Sequence, residues 1–551
     1  MKADRLPAYA ELHCLTNFTF LRGASHPHEL VGTACALGYS ALGITDECSV
    51  AGAVRAHAAA RKNGLKLLIG AEFRLSCGLR LVVLARDRRG YGRLCRIITR
   101  GRRAAPKGDY SLTRADIEEL GLAQCCVLWL PPLSLSPRGR GWPRAQPPSL
   151  DAASQGREPP PPLDAASQGL WLRERFGDSL RIAVELFHDG TDRRRLAALQ
   201  QLGRQLEMPL VASGDVHMHV RSRRMLQDAL TAVRLNVPIA EAGSNLHANG
   251  ERYLRERERL ARLYPHEMLE ATLEIAAGCS FSLDELRYEY PRELVPDGET
   301  PATHLRKLTE QGAHRLWQGQ VPAEVRQTIG RELDLIAELR YEPYFLTVHD
   351  IVAYARDNRI LCQGRGSAAN SLVCYCLGIS AVSPERGAAL LFERFISRER
   401  HEPPDIDVDF EHDRREEVIQ YVYRKYGRHR AAIAATVIMY RPRSALRDMA
   451  KVFGLDEELA SRLSKAMQWW DGHETMAARI DEAGIDTRDP RIQWTVRLAR
   501  ELVALPGFPR HLSQHVGGFV ISAGLLEELV PVENATMPNR TVVQWDKDDL
   551  N

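Results

Sequence analysis

The chain has 551 residues, of which 44% are hydrophobic and 26% charged, with a formal net charge of +3. At about 100–200 residues per domain, this length predicts a multidomain globular protein, and the composition excludes a disordered or fibrous one. No apolar run reaches the about 18–20 residues that cross a bilayer, and the N-terminus does not resemble a signal peptide. The eleven cysteines form no paired CxxC sets, so we expect a cytoplasmic protein with reduced thiols.

Short apolar segments alternate with helical segments up to about residue 130. Turn or polar residues bound Ala41–Thr45, Lys66–Ile69 and Leu81–Ala85, which predicts three buried strands. Between them, Pro27–Leu37 and Ala51–Lys62 are predicted to be helices that end near glycines. Such alternation predicts parallel strand pairing with right-handed crossovers, and therefore an α/β sheet or barrel.

A segment rich in proline, serine, glycine and arginine interrupts this pattern over residues 131–169. The sequence LDAASQG occurs in it twice, at Leu150–Gly156 and at Leu163–Gly169. A duplicated, proline-rich segment has too little apolar surface to fold by itself, so we expect a disordered insertion. The α/β pattern resumes at Leu180 and continues to Ala212.

The residues from Leu226 to Leu339 are predicted to be mostly helical and highly charged. Within them, Arg252–Arg262 has the sequence RYLRERERLAR, whose mixed charges predict a solvated helix face with little functional content. Helices are again predicted from Asp448 to Pro506, followed by a strand at Gly517–Ser522.

The strongest chemical signal is the segment PDIDVDF, Pro404–Phe410. Its strict alternation predicts a strand with Asp405, Asp407 and Asp409 on one face, because strand side chains alternate with period two. Such close carboxylates repel one another unless cations neutralise them, and Mg²⁺ prefers carboxylate oxygens as ligands. The pattern therefore predicts a two-metal site for phosphoryl transfer. The alternative is a solvated acidic edge strand, which the low strand propensity of aspartate disfavours.

A glycine-rich segment, GRGSAANS at Gly364–Ser371, precedes the acidic strand and is followed by a helical stretch at Leu372–Leu377. Glycines let a backbone approach a ligand, and a helix N-terminus offers N–H groups to an anion. We therefore predict a triphosphate-binding loop, with an ordinary tight turn as the alternative. The residues assigned to this role are Gly364, Arg365, Gly366 and Ser367.

Residues 424–451 carry eight basic side chains and a single acid, Asp448. This density is enough to neutralise several phosphates of a DNA duplex, with a solvated helix face as the alternative. Arg394 and Arg400 lie shortly before the aspartates in the sequence and are predicted to bind an incoming triphosphate. The residues predicted to contact DNA are Arg441, Arg443, Arg447 and Lys451.

These motifs resemble those of the bacterial C-family DNA polymerases. GRGSAANSL, LFERF at Leu391–Phe395 and PDIDVDF are similar to the family's palm, while LHCLTNFTFLRGAS and TDECS resemble its PHP domain. The PHP motifs are most similar to the error-prone, damage-inducible branch. The resemblance implies a PHP-type α/β barrel followed by a polymerase-beta-like α+β palm with a helical thumb. It also implies that Asp405 and Asp407 are the catalytic pair, which holds two Mg²⁺ ions.

The resemblance further divides the chain into segments with separate roles. They are a PHP domain at 1–240, a helical connection at 241–342, the palm at 343–436, the thumb at 437–514 and a truncated returning palm segment at 515–551. In the family, a third palm carboxylate follows a run like the final QWDKDDLN. We expect Asp546, Asp548 and Asp549 to lie in a loop as poor substitutes for it, so that the chain alone does not polymerise.

Metal-binding PHP domains hold ions with histidines and carboxylates at strand ends, and this chain keeps part of that set. The members retained are His13, Asp46, Glu72, Asp215 and His217. The sequence departs from the pattern at Leu15, Glu47 and Arg80, since leucine cannot bind a metal and arginine repels one. We therefore expect a degenerate, structural barrel without a bound metal.

The leading hypothesis is a template-directed DNA polymerase for error-prone synthesis across damaged templates, in which a primer 3′-hydroxyl attacks the α-phosphate of a nucleotide. Expected partners are primer–template DNA and deoxynucleoside triphosphates, with a sliding clamp and damage-response accessory proteins in the full-length protein, and no membrane. A metal-dependent PHP phosphoesterase and a non-catalytic DNA-binding scaffold are the alternatives.

Overall fold

The described residues of this computed structural model, apart from the side chain of Ser367, are 6–133, 164–291, 294–384, 396, 406–468 and 471–550. The chain divides into two units, each built from more than one stretch of sequence. The first contains Met1–Leu286, Ile433–Gly518 and Glu527–Leu550, and the second contains Arg287–Ala432 and Phe519–Leu526.

A barrel-like sheet forms the centre of the first unit. Its seven strands, among the described residues, are β1 (Ala10–Cys14), β2 (Ala41–Ile44), β3 (Lys66–Arg74), β4 (Arg80–Ala85), β5 (Cys125–Trp129), β6 (Leu180–Glu185) and β7 (Leu210–Ser213), which neighbour one another in that order. Leu15 N donates to Val216 O at 2.8 Å, and Val216 N donates to His13 O at 2.9 Å. These bonds join β1 to the segment after β7 and nearly close the sheet, which confirms the predicted α/β barrel.

One strand runs against the predicted direction. β1, β2 and β3 pair in parallel, as do β5, β6 and β7, but β4 is antiparallel to both of its neighbours. Only residues 75–79 connect β3 to β4. This link is much shorter than the dozen or more residues that a parallel crossover needs, so the chain must turn back in a hairpin.

Helices cover the barrel and confirm the predicted ones to within a few residues. They are α1 (Pro27–Ala36), α2 (Ala53–Asn63), α3 (Arg88–Arg103), α4 (Arg114–Leu120), α5 (Ala165–Phe176), α6 (Asp192–Leu206), α7 (Arg224–Leu235), α8 (Arg257–Leu263) and α9 (His266–Gly278). Helix α9 lies against the first strand, where Ala10 N donates to Thr272 Oγ1 at 3.1 Å. In the part of the chain that the structure describes, no helix has both the length and the apolar character needed to span a bilayer.

Helix α5 begins inside the segment predicted to be a disordered insertion. Residues 134–163 lie outside the described residues, but Asp164 caps α5 by accepting a hydrogen bond from Ser167 N at 2.7 Å. Gly169 is buried, and a Cβ on it would lie 2.3 Å from Leu206 Cδ1. The second LDAASQG copy therefore opens a packed helix, because its aspartate is an effective N-cap. The prediction of disorder is wrong for this end of the segment.

The second unit is mainly helical, with a short two-stranded antiparallel sheet. Its described elements are α10 (Pro301–Leu316), α11 (Ala323–Leu339), α12 (Glu342–Asp357), β8 (Cys362–Arg365), α13 (Leu372–Cys376), β9 (Asp407–Phe410) and α14 (Arg415–Tyr426). The core between the helices contains Leu305, Leu333, Phe345 and Val373, all nearly inaccessible to solvent. The predicted acidic strand is confirmed from Asp407 onward.

The chain then forms a four-stranded sheet, most of whose residues belong to the first unit, and a group of helices. These elements are β10 (Ala431–Met439), α15 (Pro442–Val452), α16 (Glu457–Ala466), α17 (Met476–Glu482), α18 (Pro490–Val503), β11 (Pro509–Ile521), β12 (Val532–Asn534) and β13 (Thr541–Asp546). The spatial order of the strands is β11-β10-β13-β12.

Asp546 was predicted to lie in a loop, but it is the last residue of strand β13. All six residues of β13 are buried, and Asp546 Oδ2 accepts a hydrogen bond from Val437 N at 2.6 Å. Asp548 and Asp549 follow in a short 3₁₀ turn, in which Asp548 N donates to Asp546 Oδ1 at 3.1 Å. The apolar pair Val542 and Val543 is sufficient to place this polar run in a strand once it pairs with β10.

Helices α10 and α13 pack so closely that Gly312 has no space for a side chain. A Cβ on Gly312 would lie 1.9 Å from Cys376 O, whereas a Cβ on Gly330 of α11 has nothing within 4 Å. We expect Gly312→Ala to lower the free energy of unfolding by about 1–3 kcal/mol, because the helices must separate. Gly330→Ala is the matched control and should raise it by about 0.5–1 kcal/mol. Urea unfolding measures both, and equal stability of the two variants would contradict the close packing.

Candidate functional site

A cluster of ionisable side chains lies where strands of the barrel end. His13 is in β1, Glu72 in β3 and Glu185 at the end of β6, while Asp215 and His217 follow β7. His13 Nδ1 lies 2.9 Å from Glu185 Oε1, and His13 Nε2 lies 3.5 Å from Glu72 Oε2 and 3.8 Å from Asp215 Oδ1. His217 Nε2 lies 2.9 Å from Asp215 Oδ1. The structure thus brings four of the five predicted PHP residues together and adds Glu185, which sequence reasoning missed.

Asp46, the fifth predicted residue, is held by threonines. Its carboxylate accepts hydrogen bonds from Thr16 N and Thr16 Oγ1, both at 2.8 Å, and from Thr19 Oγ1 at 2.6 Å. Burial raises the pKa of Asp46, and these hydrogen bonds oppose that shift only in part. Asp46 therefore ties the loop after β1 to the loop after β2.

Arginines neutralise the acidic side chains of this cluster. Arg22 forms an ion pair with Glu47, and its Nη2 lies 3.2 Å from Glu72 Oε2. Arg80 Nη2 lies 2.9 Å from Glu72 Oε1. Burial would raise the pKa of Glu72, but the charges of Arg22 and Arg80 hold it well below its ordinary value. The guanidinium groups thus supply positive charge at the carboxylate that a metal ion would otherwise neutralise.

Arg252 neutralises Asp215 from a segment that was predicted to be a solvated helix face. That prediction is wrong for residues 252–256, because helix α8 begins only at Arg257 and Arg252 is 8% exposed. Arg252 forms an ion pair with Asp215, and its guanidinium lies 3.9 Å from the ring centroid of Phe187. Alternating charges are typical of a helix surface, and no local pattern shows that this stretch passes the barrel cluster.

One group of side chains has the geometry to bind a metal ion, among the described residues. Ligand atoms of His13, Glu185 and Asp215 lie within 4.8 Å of one another, and His13 Nε2 makes no hydrogen bond. Burial lowers the pKa of His13, but the hydrogen bonds and charges of Glu185 and Glu72 outweigh it and raise the pKa above its ordinary value. Metal binding requires a neutral imidazole and a free carboxylate, and Asp215 is paired with Arg252. These residues do not fit a cluster of several ions.

The second cluster lies in the other unit, where β8 and β9 pair. Their register sets Arg365 opposite Asp407 and Gln363 opposite Asp409. Arg365 Nη2 lies 3.5 Å from Asp407 Oδ2, and Arg365 Nε lies 3.1 Å from Asp409 Oδ2. The side chains of Asp407 and Arg365 are 46% and 59% exposed, so a ligand can reach both. Arg365 therefore supplies a cation of the kind that neighbouring carboxylates were expected to require.

Asp405, Arg394 and Arg400 lie outside the described residues, as does the LFERF motif. The side chain of Ser367 is likewise not described. The roles assigned to these residues stay predictions.

The glycine-rich segment consists of a strand, a turn and a helix. Gly364 lies in β8, where a Cβ would be 2.6 Å from Ile379 O. Gly366 has a φ of +68°, a conformation that favours glycine. Residues 366–370 form a short 3₁₀ helix, and α13 begins at Leu372. The backbone therefore requires glycine at both positions, whether or not a ligand binds there.

The N-terminus of α13 is not open to a ligand, in contrast to the prediction. Glu332 on α11 accepts hydrogen bonds from Leu372 N at 3.1 Å and from Val373 N at 3.0 Å. Ser371 Oγ accepts a third, from Cys374 N at 3.1 Å. The amides that were expected to bind an anion are thus already satisfied within the protein.

The residues predicted to contact DNA lie along one side of α15. Arg443, Arg447 and Lys451 are four residues apart, and Arg441 directly precedes the helix, so that their side chains form a basic stripe. All four are exposed. Arg443 Nε also donates to Met467 O at 2.8 Å, which fixes one member of the stripe.

Comparison with known proteins identifies two family domains in this chain. The model of the PHP domain matches residues 11–126, and the model of the bacterial DNA polymerase III alpha NTPase domain matches residues 303–551. The first region contains His13, Asp46 and Glu72, and the second contains the glycine-rich segment and the acidic strand. An amidohydrolase structure from Chromobacterium violaceum is 15% identical, has a TM-score of 0.24 and covers 38% of this chain and 88% of that chain. This likeness is too weak to carry an argument.

Relatives that match nearly the whole chain are named error-prone DNA polymerase. The protein of Dechloromonas aromatica is 54% identical over 99% of this chain and 50% of its own length. The protein of Methylococcus capsulatus is 56% identical over 98% of this chain and 49% of its own length. The chain thus spans about half the length of the curated relatives it matches. The chain therefore contains both family domains and is similar over nearly its whole length to relatives named error-prone DNA polymerase.

Proposed function

We propose that this chain carries the nucleotidyl-transfer site of a template-directed DNA polymerase that synthesises error-prone DNA across damaged templates. The relatives named error-prone DNA polymerase support the reaction class. The observation that carries the proposal is the register of β8 and β9, which sets Arg365 opposite Asp407. An exposed carboxylate and an exposed guanidinium side by side are suited to a triphosphate and its metal ions.

Asp405 and Asp407 would hold two Mg²⁺ ions, which supply charge neutralisation at the attacking and leaving oxygens when bound. Arg365, Arg394 and Arg400 bind the triphosphate of the incoming nucleotide. Arg365 does so by exchanging the carboxylates of Asp407 and Asp409 for phosphate oxygens. The primer 3′-hydroxyl gives up its proton to solvent, and its oxygen attacks the α-phosphate. The new ester bond forms as the bond between the α-phosphorus and the α–β bridging oxygen breaks, and pyrophosphate leaves.

The basic stripe of Arg441, Arg443, Arg447 and Lys451 holds backbone phosphates of the primer–template duplex. We propose that residues 343–436 act as the palm, 437–514 as the thumb and 515–551 as a returning palm segment. A sliding clamp and damage-response proteins are partners of the longer protein.

We propose that the barrel, within a PHP domain at 1–240, has a structural role. The alternative of a metal-dependent phosphoesterase draws its support from the group formed by His13, Glu185 and Asp215. Two observations oppose this alternative. Asp215 is paired with Arg252. Burial lowers the pKa of His13, but Glu185 and Glu72 raise it above its ordinary value, which favours the protonated imidazole. A barrel centre that arginines neutralise has little affinity left for divalent cations.

The catalytic role of the acidic strand is tested with Asp407→Asn. The substitution keeps the size of the side chain and removes the charge that would hold a metal ion. We expect primer extension to fall at least about a thousandfold, which corresponds to about 4 kcal/mol of transition-state stabilisation. The assay uses a chimera in which the remaining half of the Dechloromonas aromatica relative follows residue 551. The 551-residue chain alone is the negative control, since we expect it not to extend a primer.

Asp413→Asn is the matched control, because Asp413 is exposed and lies just beyond β9. It should leave extension by the chimera unchanged. Asp405→Asn should behave like Asp407→Asn. Substantial extension by either aspartate variant would remove that residue from the catalytic role.

The structural role of the barrel centre is tested with Arg252→Met. Asp215 is 3% exposed, so removing its partner leaves a buried charge without neutralisation. We expect the free energy of unfolding to fall by about 3–5 kcal/mol. Arg221→Met is the control, because Arg221 pairs with Glu251 at 3.4 Å but is 62% exposed, so that its loss should cost at most about 1 kcal/mol. Similar stability of both variants in urea unfolding would show that the Arg252 pair does not support the barrel.

We also expect the protein to have no proofreading nuclease in its barrel. The ligand positions at Leu15 and Arg80 cannot bind metal, and Arg80 neutralises Glu72. Incubation of the chain with a mismatched primer–template and Mn²⁺ should therefore release no 3′ nucleotide. Manganese-dependent release that His13→Ala abolishes would show the phosphoesterase alternative to be right.

A further inference from the structure

Glu332 is a buried carboxylate that the proposed reaction does not use. It lies on α11 and is 1% exposed, in the same core as Leu333, Ile336 and Val373. Burial of a carboxylate costs several kcal/mol unless other groups compensate its charge. Within the described residues, the groups that act on it are the hydroxyl of Ser371 and two backbone amides of α13, and not a cationic side chain.

The hydrogen bonds of Glu332 all end at the start of α13. Ser371 Oγ donates to Glu332 Oε2 at 2.8 Å, Leu372 N donates to Oε1 at 3.1 Å, and Val373 N donates to Oε2 at 3.0 Å. Ser371 Oγ also accepts the hydrogen bond of Cys374 N. One carboxylate therefore organises, directly or through Ser371, the whole first turn of the helix that follows the glycine-rich segment.

The glycine-rich segment is anchored on both sides of its turn. On one side, Gly364 N donates to Ile379 O at 2.8 Å, and β8 pairs with β9. On the other side, the anchor is the contact between Ser371 and Glu332. Between these points lies the turn of residues 366–370. The conformation of this turn depends on the contact between Ser371 and Glu332 as much as on the strand pairing, because a turn is held in one conformation only when both of its ends are held.

We propose that Glu332 is a positioning residue: its carboxylate fixes the turn of residues 366–370 in the conformation that binds the triphosphate, and it closes the N-terminus of α13 to phosphate. The proposal rests on the proposed nucleotide-binding role of that loop. Since the amides of α13 are occupied, the part of the glycine-rich segment that binds the triphosphate is the turn together with Arg365. Loss of Glu332 frees the turn and opens a competing position for phosphate.

The protonation state of Glu332 gives a readout that a simple structural role would not. Burial raises its pKa to about 7, although the hydrogen bonds from Val373, Leu372 and Ser371 oppose the shift. The titratable groups facing it are the thiols of Cys374 and Cys376, whose pKa values are raised by burial, so that both stay neutral near pH 7. Arg315 on α10 acts on Cys376 rather than on Glu332.

The ionised carboxylate accepts all three hydrogen bonds, whereas the protonated form must turn one oxygen into a donor. Nucleotide affinity should therefore be highest at about pH 8 and fall as the pH drops through about 7. Stability changes in the opposite sense. Because the folded-state pKa of Glu332 lies above the ordinary value of 4.5, its contribution to stability is full below about pH 4.5 and is lost as the pH rises through about 7.

The test compares Glu332→Gln with Glu338→Gln, an exposed position on the same helix. A fluorescent deoxynucleoside triphosphate with Mg²⁺ is titrated into the 551-residue chain at about pH 6 and about pH 8. We expect Glu332→Gln to weaken affinity about tenfold at the higher pH and to abolish the pH dependence. In the chimera, the KM for the nucleotide should rise by a similar factor while kcat stays within about threefold. Glu338→Gln should match the parent in every assay.

The failure of this proposal and the failure of the proposed function give different results. If Glu332→Gln keeps the parent's affinity and pH profile, Glu332 only caps a helix and the proposal is wrong. If the parent and Arg365→Ala both fail to bind the nucleotide, the loop itself has no such role, and the proposal falls with it. If Glu332→Gln does not fold, Ser371→Ala takes its place, since it removes one of the three hydrogen bonds. Weakened affinity of Ser371→Ala then supports the proposal, and unchanged affinity contradicts it.

Discussion

Carboxylates that lie close together must be neutralised, and in this chain arginine side chains do so at both clusters. At the barrel centre the arginines are largely buried: the side chain of Arg22 is 14% exposed and its partner Glu72 is inaccessible. At the acidic strand, Arg365 is 59% exposed. The same interaction therefore has two consequences. A buried pair cannot exchange partners without a large desolvation cost, whereas an exposed one can give up a carboxylate for a phosphate.

Local patterns predicted the elements of the fold well because each is encoded within a few residues. The alternation in PDIDVDF and the short apolar segments of β2 and β4 needed no tertiary information. The errors arose where a single contact determines the secondary structure or the direction of a strand. Asp164 turns a proline-rich, repetitive segment into a helix through one capping hydrogen bond, and the short link after β3 reverses a strand. Neither effect changes the hydrophobic period on which the predictions were based.

Site residues could be predicted from the sequence where they belong to a short motif, and not where they are brought together from distant parts of the chain. The positions that lack a metal ligand of the PHP pattern, such as Leu15 and Arg80, could be identified from sequence motifs. The groups that compensate for them could not, since Glu185 meets His13 across 172 positions of sequence, and Arg252 lies in an ordinary charged stretch. Glu185 left one signal, a carboxylate at the end of a predicted strand. Glu332 left none, because a glutamate in a helix is unremarkable until its neighbours in space are known.

The barrel also has a mechanical task within the first unit that is independent of any chemistry at its centre. The loop after β2 binds the last strand: Val50 N donates to Gln544 Oε1 at 3.2 Å, and Trp545 Nε1 donates to Val50 O at 3.2 Å. The ion pair of Arg22 with Glu47 begins this loop. Neutralisation of the acidic barrel cluster and attachment of β13 therefore both involve the loop after β2. A change that removes charge at the barrel centre should therefore disturb the packing of β13 in the four-stranded sheet, although the two sites share no side chain.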